Sequence, residues 1–360
     1  MEVGTELPVV RGFRGSRTVS VAQSRLHSLY SLDFLTASNG VWLQHKNKPA
    51  PSEASGCSSL ALPAAAASDV ANVLLPCDSR YQVLSPDGVQ VAVRCKDHSL
   101  HVLSVPDGKE LRVIPAEPRA DTVAYSPEGL SMAIGFHDGN IEVASSKGST
   151  VVKRWHASAR PIEALRFFPD AKMLVAGPAD SDAQVWEFAE SPKLRATLPS
   201  DFGGIMDCAV SPDGKVLVVA GGDTVLHWYD TGTWQKTLEN RDFLLDTFAL
   251  AFTPDGKEVL VGGADARITV LDAATAKQVR QLPREAGSSV AVLDVFGDQQ
   301  IAAIYFDDAG EKPPHELIWR LSDAKVMGRS DIAPTCEGVV GGKLWSCTVE
   351  GRTVRISQSE

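Results

Sequence analysis

Ser211-Pro-Asp-Gly214 leads into Lys215-Val-Leu-Val-Val-Ala220, and one period later Thr253-Pro-Asp-Gly256 leads into Lys257-Glu-Val-Leu-Val-Gly262. The same quartet stands earlier as Ser85-Pro-Asp-Gly88 and Ser126-Pro-Glu-Gly129, and in altered form as Phe168-Pro-Asp-Ala171. The prolines fall at 86, 127, 169, 212 and 254, spaced 41, 42, 43 and 42 residues apart. A period in the forties, held through five copies, is the mark of a repeat architecture. Each quartet also carries the chemistry of a tight turn. Proline presets the first turn angle, aspartate suits the second, and glycine takes the left-handed position that closes it.

The flanks of each turn read as strands. Around Pro254 the segments 247–252, 258–262, 267–272 and 277–282 alternate or run β-branched. The copy at Pro212 repeats the pattern with 215–220, 224–230 and 234–239. That makes four short strands in about forty residues. One such sheet cannot bury both faces alone, whereas sheets stacked radially bury one another and leave only short edges. The expected fold is therefore all-β, a β-propeller. No stretch shows a sustained 3.6-residue apolar period, so helices should be minor.

These turns, the Asp-containing turns His137-Asp-Gly139 and Ala264-Asp-Ala266, and the third-strand endings Val185-Trp-Glu187, Trp228-Tyr-Asp230, Val270-Leu-Asp272 and Ile318-Trp-Arg320 resemble the WD-repeat (WD40) family over residues 79–357. The chain is a divergent match: no Trp-Asp pair occurs, and Trp155-His156 is the nearest relative of the family's Gly-His dipeptide. The resemblance implies a non-enzymatic scaffold, and it implies for His156 a structural hydrogen bond within its blade. It points to no subfamily.

Carried forward, the period places a sixth repeat at Phe296-Gly-Asp298 and a seventh at Val340-Gly-Gly342, which stops after three strands. Propellers avoid an open edge by borrowing a strand, so an N-terminal strand should close the ring. Segments 8–13, 18–23 and 32–44 read as strands of a further blade. Length over period slightly exceeds eight, so the reading leans to eight blades over seven, in one domain spanning 1–360. Residues 46–70, rich in Pro, Ser and Ala, read as a mobile low-complexity loop within that first blade. Residues 307–315 lengthen a turn of the sixth repeat.

Composition narrows the function. The chain has 360 residues, 44% hydrophobic and 22% charged, which supports a core without staples. No apolar run approaches the roughly 20 residues of a membrane span, and the acidic start lacks a secretory pattern. A net charge of −10 counts against nucleic acid as the partner. The six scattered cysteines show no C-x-x-C pair and read as idle thiols in a reducing, cytoplasmic or nuclear setting.

Catalytic signals are weak. Gly338-Val-Val-Gly-Gly-Lys-Leu344 has too few residues before Gly-Lys for a phosphate loop, and no hydroxyl after it. His98 and His101 lie at a turn and the strand it enters, where an offset of three separates their faces. His227 reads as packed between blades. Asp138, Asp223 and Asp265 occupy turn positions. No catalytic residue, cofactor site or metal site is assigned. The rivals are a propeller enzyme of the lactonase or hydrolase type and, on the faint likeness of Leu29-Tyr-Ser-Leu-Asp33, a secretory-coat guanine-nucleotide exchange propeller.

One pattern points to binding. The segments entering successive blades carry Arg80, Arg119, Arg160, Arg241, Arg284 and Arg329. All of them open on one face of a propeller, where guanidiniums can hold carboxylates or phosphates bidentately. Phe202, Phe243 and Leu244 supply apolar anchors on the same face. The expectation is a scaffold or adaptor, a subunit of a larger complex, that docks protein partners through acidic or phosphorylated segments.

Overall fold

In the computed structural model, the turn quartets close as their chemistry dictates. Gly214 N–H donates to the Ser211 carbonyl at 2.8 Å, and the Ser211 hydroxyl donates to Asp213 Oδ1 at 2.7 Å. Asp213 Oδ1 in turn accepts from Lys215 N–H at 3.1 Å, and the Ser211 hydroxyl accepts from Val216 N–H at 2.9 Å. Thr253 and Asp255 repeat this arrangement in the next copy. Gly88, Gly129, Gly214 and Gly256 take φ between 70° and 72°, the left-handed region that their lack of a side chain permits.

The structure describes residues 35–37, 40–42 and, apart from short gaps, 67–359. Among these residues every regular element is a strand, and no helix is long and apolar enough to cross a membrane. The described residues form one compact unit. It contains seven four-stranded antiparallel sheets arranged in a ring. Their inner strands are Ser79–Leu84, Ala120–Tyr125, Ile162–Phe167, Ile205–Val210, Thr247–Phe252, Ser288–Phe296 and Cys336–Val340. Numbered in that order, blades 1 to 6 run continuously outward from these strands. Blade 7 takes its outer strand from Ala67–Leu74, which pairs with Thr353–Ser359 in a register joining Val73 to Val354. The N-terminal closing strand is therefore present.

No eighth blade appears among the described residues. Of the segments read as its strands, 8–13 and 18–23 lie outside the described residues. Leu35–Ala37 and Gly40–Trp42 pair only with each other. This ribbon lies against the inner strands of blades 2 and 3 on one side and of blades 5, 6 and 7 on the other. Contact with inner strands from both sides of the ring puts it in the central channel. The length argument miscounted because it assigned to a blade a segment that fills the middle. Of the segment read as a low-complexity loop, 46–66 lies outside the described residues and 67–70 opens the closing strand.

The core lies in the seams between blades. The second strand Gln90–Cys95 and the inner strand Ala120–Tyr125 are buried along their whole length. The outer strand Val151–His156 is exposed at four of its six residues and half-buried at the other two. Between blades 4 and 5, Leu226 and Trp228 pack with Leu250, Val259 and Val261.

The idle-thiol expectation is overturned. Cys77 and Cys95 form a disulfide with Cα atoms 5.8 Å apart, Cys347 is also disulfide-bonded, and Cys208 is a buried free thiol. Sequence spacing concealed the first pair because the hairpin folds back on itself. Cys77 precedes the inner strand of blade 1, whose Ser79 is the register partner of Cys95.

Candidate functional site

Segments leaving an outer strand for the next blade and turns joining second to third strands open on the same face. His137, in such a turn of blade 2, donates its N–H to the carbonyl of Arg119, in the segment entering that blade. The arginines on this face do not form one free ring. Arg119 Nε donates to Asp121 Oδ1 at 2.6 Å, and His137 Nδ1 lies 2.8 Å from Asp121 Oδ2. Asp121 also faces the buried Arg94 at 3.4 Å. Arg241 binds Glu239 at 2.8 Å, and its guanidinium leads the causes that hold that carboxyl down at about 2. Arg329, at the end of its outer strand, is paired with Asp331 at 3.0 Å and Glu285 at 3.3 Å, and these carboxylates raise its pKa, Asp331 first. Arg80 is the second residue of the inner strand of blade 1, and its side chain lies outside the described residues. Arg160 and Arg284 are exposed and have no carboxylate partner among the described residues.

The structure brings Phe243 and Arg284 together. They line one cavity of about 360 Å³ over the seam of blades 4 and 5, within the range of ligand-sized pockets. Its floor is apolar, from Val261, Leu271 and the half-buried Phe243, which packs on the seam core. The segment entering blade 5 forms one wall with Asp242, Leu245 and Asp246. Burial raises the Asp246 carboxyl, and no hydrogen bond satisfies it among the described residues. The turn at 264–267 and the segment leaving blade 5 add Arg267 and Arg284 to the lining. Among the described residues the Arg267 guanidinium holds Gln281 Oε1 alone, at 3.4 Å, while Asp265 caps its own turn by accepting from Arg267 N–H at 3.1 Å. Leu245 is 51% exposed. Phe202 and Leu244 lie outside the described residues.

Asp246 and Arg267 were missed because a charged residue beside a turn is ordinary in any loop. A second missed group had a clearer signal, charge inside an apolar strand. Arg166, Asp207 and Asp294 all sit on inner strands and are buried. Arg166 Nη2 donates to Asp207 Oδ1 at 3.1 Å, and Asp207 also accepts from the N–H groups of Cys208 and Leu250 at 2.7 Å each. Burial pushes the Asp294 carboxyl up to about 7, Arg166 opposes that shift, and Asp207 and Glu316 add to it.

The histidines have polar or packing roles. His101 Nδ1 is 2.8 Å from Glu110, His98 faces Arg94 at 3.4 Å, and His227 is buried as expected. His156 departs from its expected role. It ends an outer strand with its backbone in register with Asn140, and its exposed side chain makes no hydrogen bond among the described residues, because an outer-strand end has no neighbouring strand beyond it to supply a partner. No group of three or more His, Cys, Asp or Glu side chains is placed to hold a metal among the described residues.

Comparison with known proteins agrees with the fold. The model of the WD domain, G-beta repeat, matches residues 192–230. WD repeat-containing protein 70 of Xenopus tropicalis is 27% identical over 140 residues, 36% of this chain and 22% of that protein. Cleavage stimulation factor subunit 50 of Arabidopsis thaliana is 22% identical over 198 residues, 49% of this chain and 45% of that protein. Protein LST8 homolog of Drosophila melanogaster is 26% identical over 137 residues, 35% of this chain and 43% of that protein. The match thus spans less than half the length of each of these relatives. With seven blades, the turn chemistry of the repeats and these likenesses in view, the chain is a β-propeller similar to WD-repeat proteins, with no subfamily indicated.

Proposed function

We propose that this protein is a non-enzymatic interaction platform that docks partner proteins on its loop face, as a subunit of a larger assembly. The observation that carries the reading is the cavity over blades 4 and 5, where exposed apolar and unpaired charged side chains meet on a rigid seam. Interfaces gain most from such buried anchors with polar surroundings. The ribbon in the central channel favours the outer loop face over a reaction chamber in the middle of the ring. One of the relatives is by name a subunit of a multi-part factor. The docked segment, on this reading, is acidic or phosphorylated and is held through Arg160 and Arg284, the guanidiniums still available to it.

A cytoplasmic or nuclear setting goes with scaffolding of this kind, and the Cys77–Cys95 disulfide goes against it. Alkylation of free thiols in acid-quenched cells decides between the two.

The docking role is tested by quantitative affinity purification of wild type and Arg160→Glu/Arg284→Glu. Both side chains are exposed, so an unchanged circular dichroism spectrum and melting temperature are expected. Loss of a reproducible partner supports the reading, and an identical partner set overturns it.

A further inference from the structure

The lining of the cavity over blades 4 and 5 carries both signs of charge. Asp242 and Asp246 come from the segment that enters blade 5. Arg267 and Arg284 come from the turn at 264–267 and the segment that leaves blade 5. Phe243, Val261 and Leu271 line the same cavity. The acidic and basic groups do not neutralise each other, since no ion pair joins them among the described residues. Elsewhere on this face arginines are taken up by carboxylates of their own blades, as Arg241 is by Glu239 and Arg329 by Asp331. Here Arg284 has no polar partner among the described residues, and Arg267 has only a long contact to an amide oxygen. Asp246, half-buried and without a hydrogen-bond donor among the described residues, lines the same cavity. It gains from a ligand that supplies the missing partner, because a partly desolvated charge left unpaired is costly, and the exposed arginines offer donors to a ligand carboxylate.

We infer that this groove is a peptide-docking site selective for an extended segment in which one apolar side chain is flanked by an acidic and a basic residue. The apolar side chain covers Phe243 and the seam below it. The carboxylate pairs with Arg267 and Arg284, and the cation pairs with Asp242 and Asp246. A segment acidic on both flanks meets Asp246, and a segment basic on both flanks meets the arginines, so like-charge repulsion rejects each. The cavity, at about 360 Å³, has room for a few residues, not a folded domain. The inference rests on the docking role proposed above and refines its ligand: where that role expects an acidic segment, this groove takes one of mixed charge.

The probes are four fluorescein-labelled heptapeptides on a Gly-Ser frame, with centres Glu-Leu-Lys, Glu-Leu-Glu, Lys-Leu-Lys and Glu-Ser-Lys, titrated against the full chain by anisotropy. The mixed-charge leucine peptide should bind tightest, by roughly tenfold over the like-charge peptides, and should weaken as salt rises. Replacing leucine by serine should cost a similar factor, about the effect of withdrawing a buried apolar side chain. In Arg267→Glu/Arg284→Glu the order should change, with Lys-Leu-Lys binding tightest. Both arginines are exposed, so the variant folds, and its melting temperature checks this. The same ranking in wild type and variant, or no saturable binding of any probe, overturns the inference. If Glu-Leu-Glu binds best and depends on Arg160, the groove assignment fails while the docking role stands. If in addition no partner is lost from the Arg160→Glu/Arg284→Glu purification, both fail.

Discussion

Asp294 shows how a single residue sets the pH response of the fold. It is 2% exposed on an inner strand, and neither carboxylate oxygen has a hydrogen-bond partner among the described residues. Arg166 lies within Coulombic reach but is bound to Asp207, and the nearby Asp207 and Glu316 oppose a further negative charge. The native carboxyl therefore titrates near 7 instead of at its usual value of 3.8. A carboxyl held above its unfolded value keeps its proton in the native state after the unfolded chain has lost it. Its contribution to stability is full below about pH 4 and is lost as pH rises towards 7. Each pKa unit corresponds to about 1.4 kcal/mol, so the swing amounts to a few kcal/mol. Asp294→Asn should flatten the dependence of melting temperature on pH between 4 and 8 and raise stability at pH 8. An unchanged slope would mean that Asp294 is not the titrating group. Asp121 is the opposite case, a carboxylate rich in partners. Asp121→Ala removes a carboxylate that faces the buried Arg94 at 3.4 Å, and should cost about 3–5 kcal/mol in denaturant unfolding. Neither role was legible from composition. A charged residue within a strand is visible in sequence, but whether it meets a partner depends on which blade faces it.

At the scale of the element, legibility follows the range of the interactions. The turn quartets were readable because every bond that makes them is local, from the Ser211 hydroxyl to Asp213 and from Asp213 to Lys215. Asp213→Ala removes two of these bonds at an exposed turn and should cost about 1 kcal/mol in unfolding free energy. A second repeated feature was present in the sequence and had no local meaning. Gly135, Gly177 and Gly262 stand at the same place near the end of the second strands of blades 2, 3 and 5. A Cβ at Gly177 would lie 2.7 Å from Ile205 of the next blade, one at Gly135 would lie 2.7 Å from Ile162, and one at Gly262 would lie 2.5 Å from Val290. These glycines let one blade approach the next, a demand that exists only between repeats. Gly177→Val should therefore destabilise by about 1–3 kcal/mol through overpacking, whereas Gly232→Ala, in a turn where only the Asp230 side chain comes near, should change little. Equal melting temperatures for the two variants would remove the seam argument. The arginine pattern was less legible even though its partners are close in sequence: Arg119, Arg241 and Arg329 each bind a carboxylate two residues away, and Arg329 also reaches Glu285 of another connection. Sequence shows such charges side by side, but not which of the guanidiniums they take up.

Across the whole molecule, the ring depends on one long-range event. Ala67–Leu74 must find Thr353–Ser359, and Arg352, which donates to the Leu75 carbonyl at 2.8 Å, is 277 residues distant in sequence. The truncated last repeat made a closing strand legible. The blade count was not, because a ribbon inside the channel and a strand at the rim use up residues at the same rate. Closure is also where covalent links gather: Cys77, just past the closing strand, is bonded to Cys95 in blade 1, and blade 7 holds the disulfide-bonded Cys347. The closing strand thus has its sheet pairing on one side and, through Cys77, an anchor to the first blade on the other. A cross-link over a short loop adds about 3 kcal/mol where geometry is undistorted. Cys77→Ala/Cys95→Ala should accordingly lower the melting temperature by about 5 °C or more while the chain stays monomeric, since the strand pairing remains. Deleting residues 67–75 acts differently, because it leaves Thr353–Ser359 as an unpaired edge with hydrogen-bonding groups open to another chain. That variant should self-associate in light scattering at concentrations where the cysteine variant does not. If the cysteine variant also associates, the disulfide holds the strand in place. If the deletion stays monomeric with an unchanged melting temperature, closure by this strand is not what keeps the seven blades together.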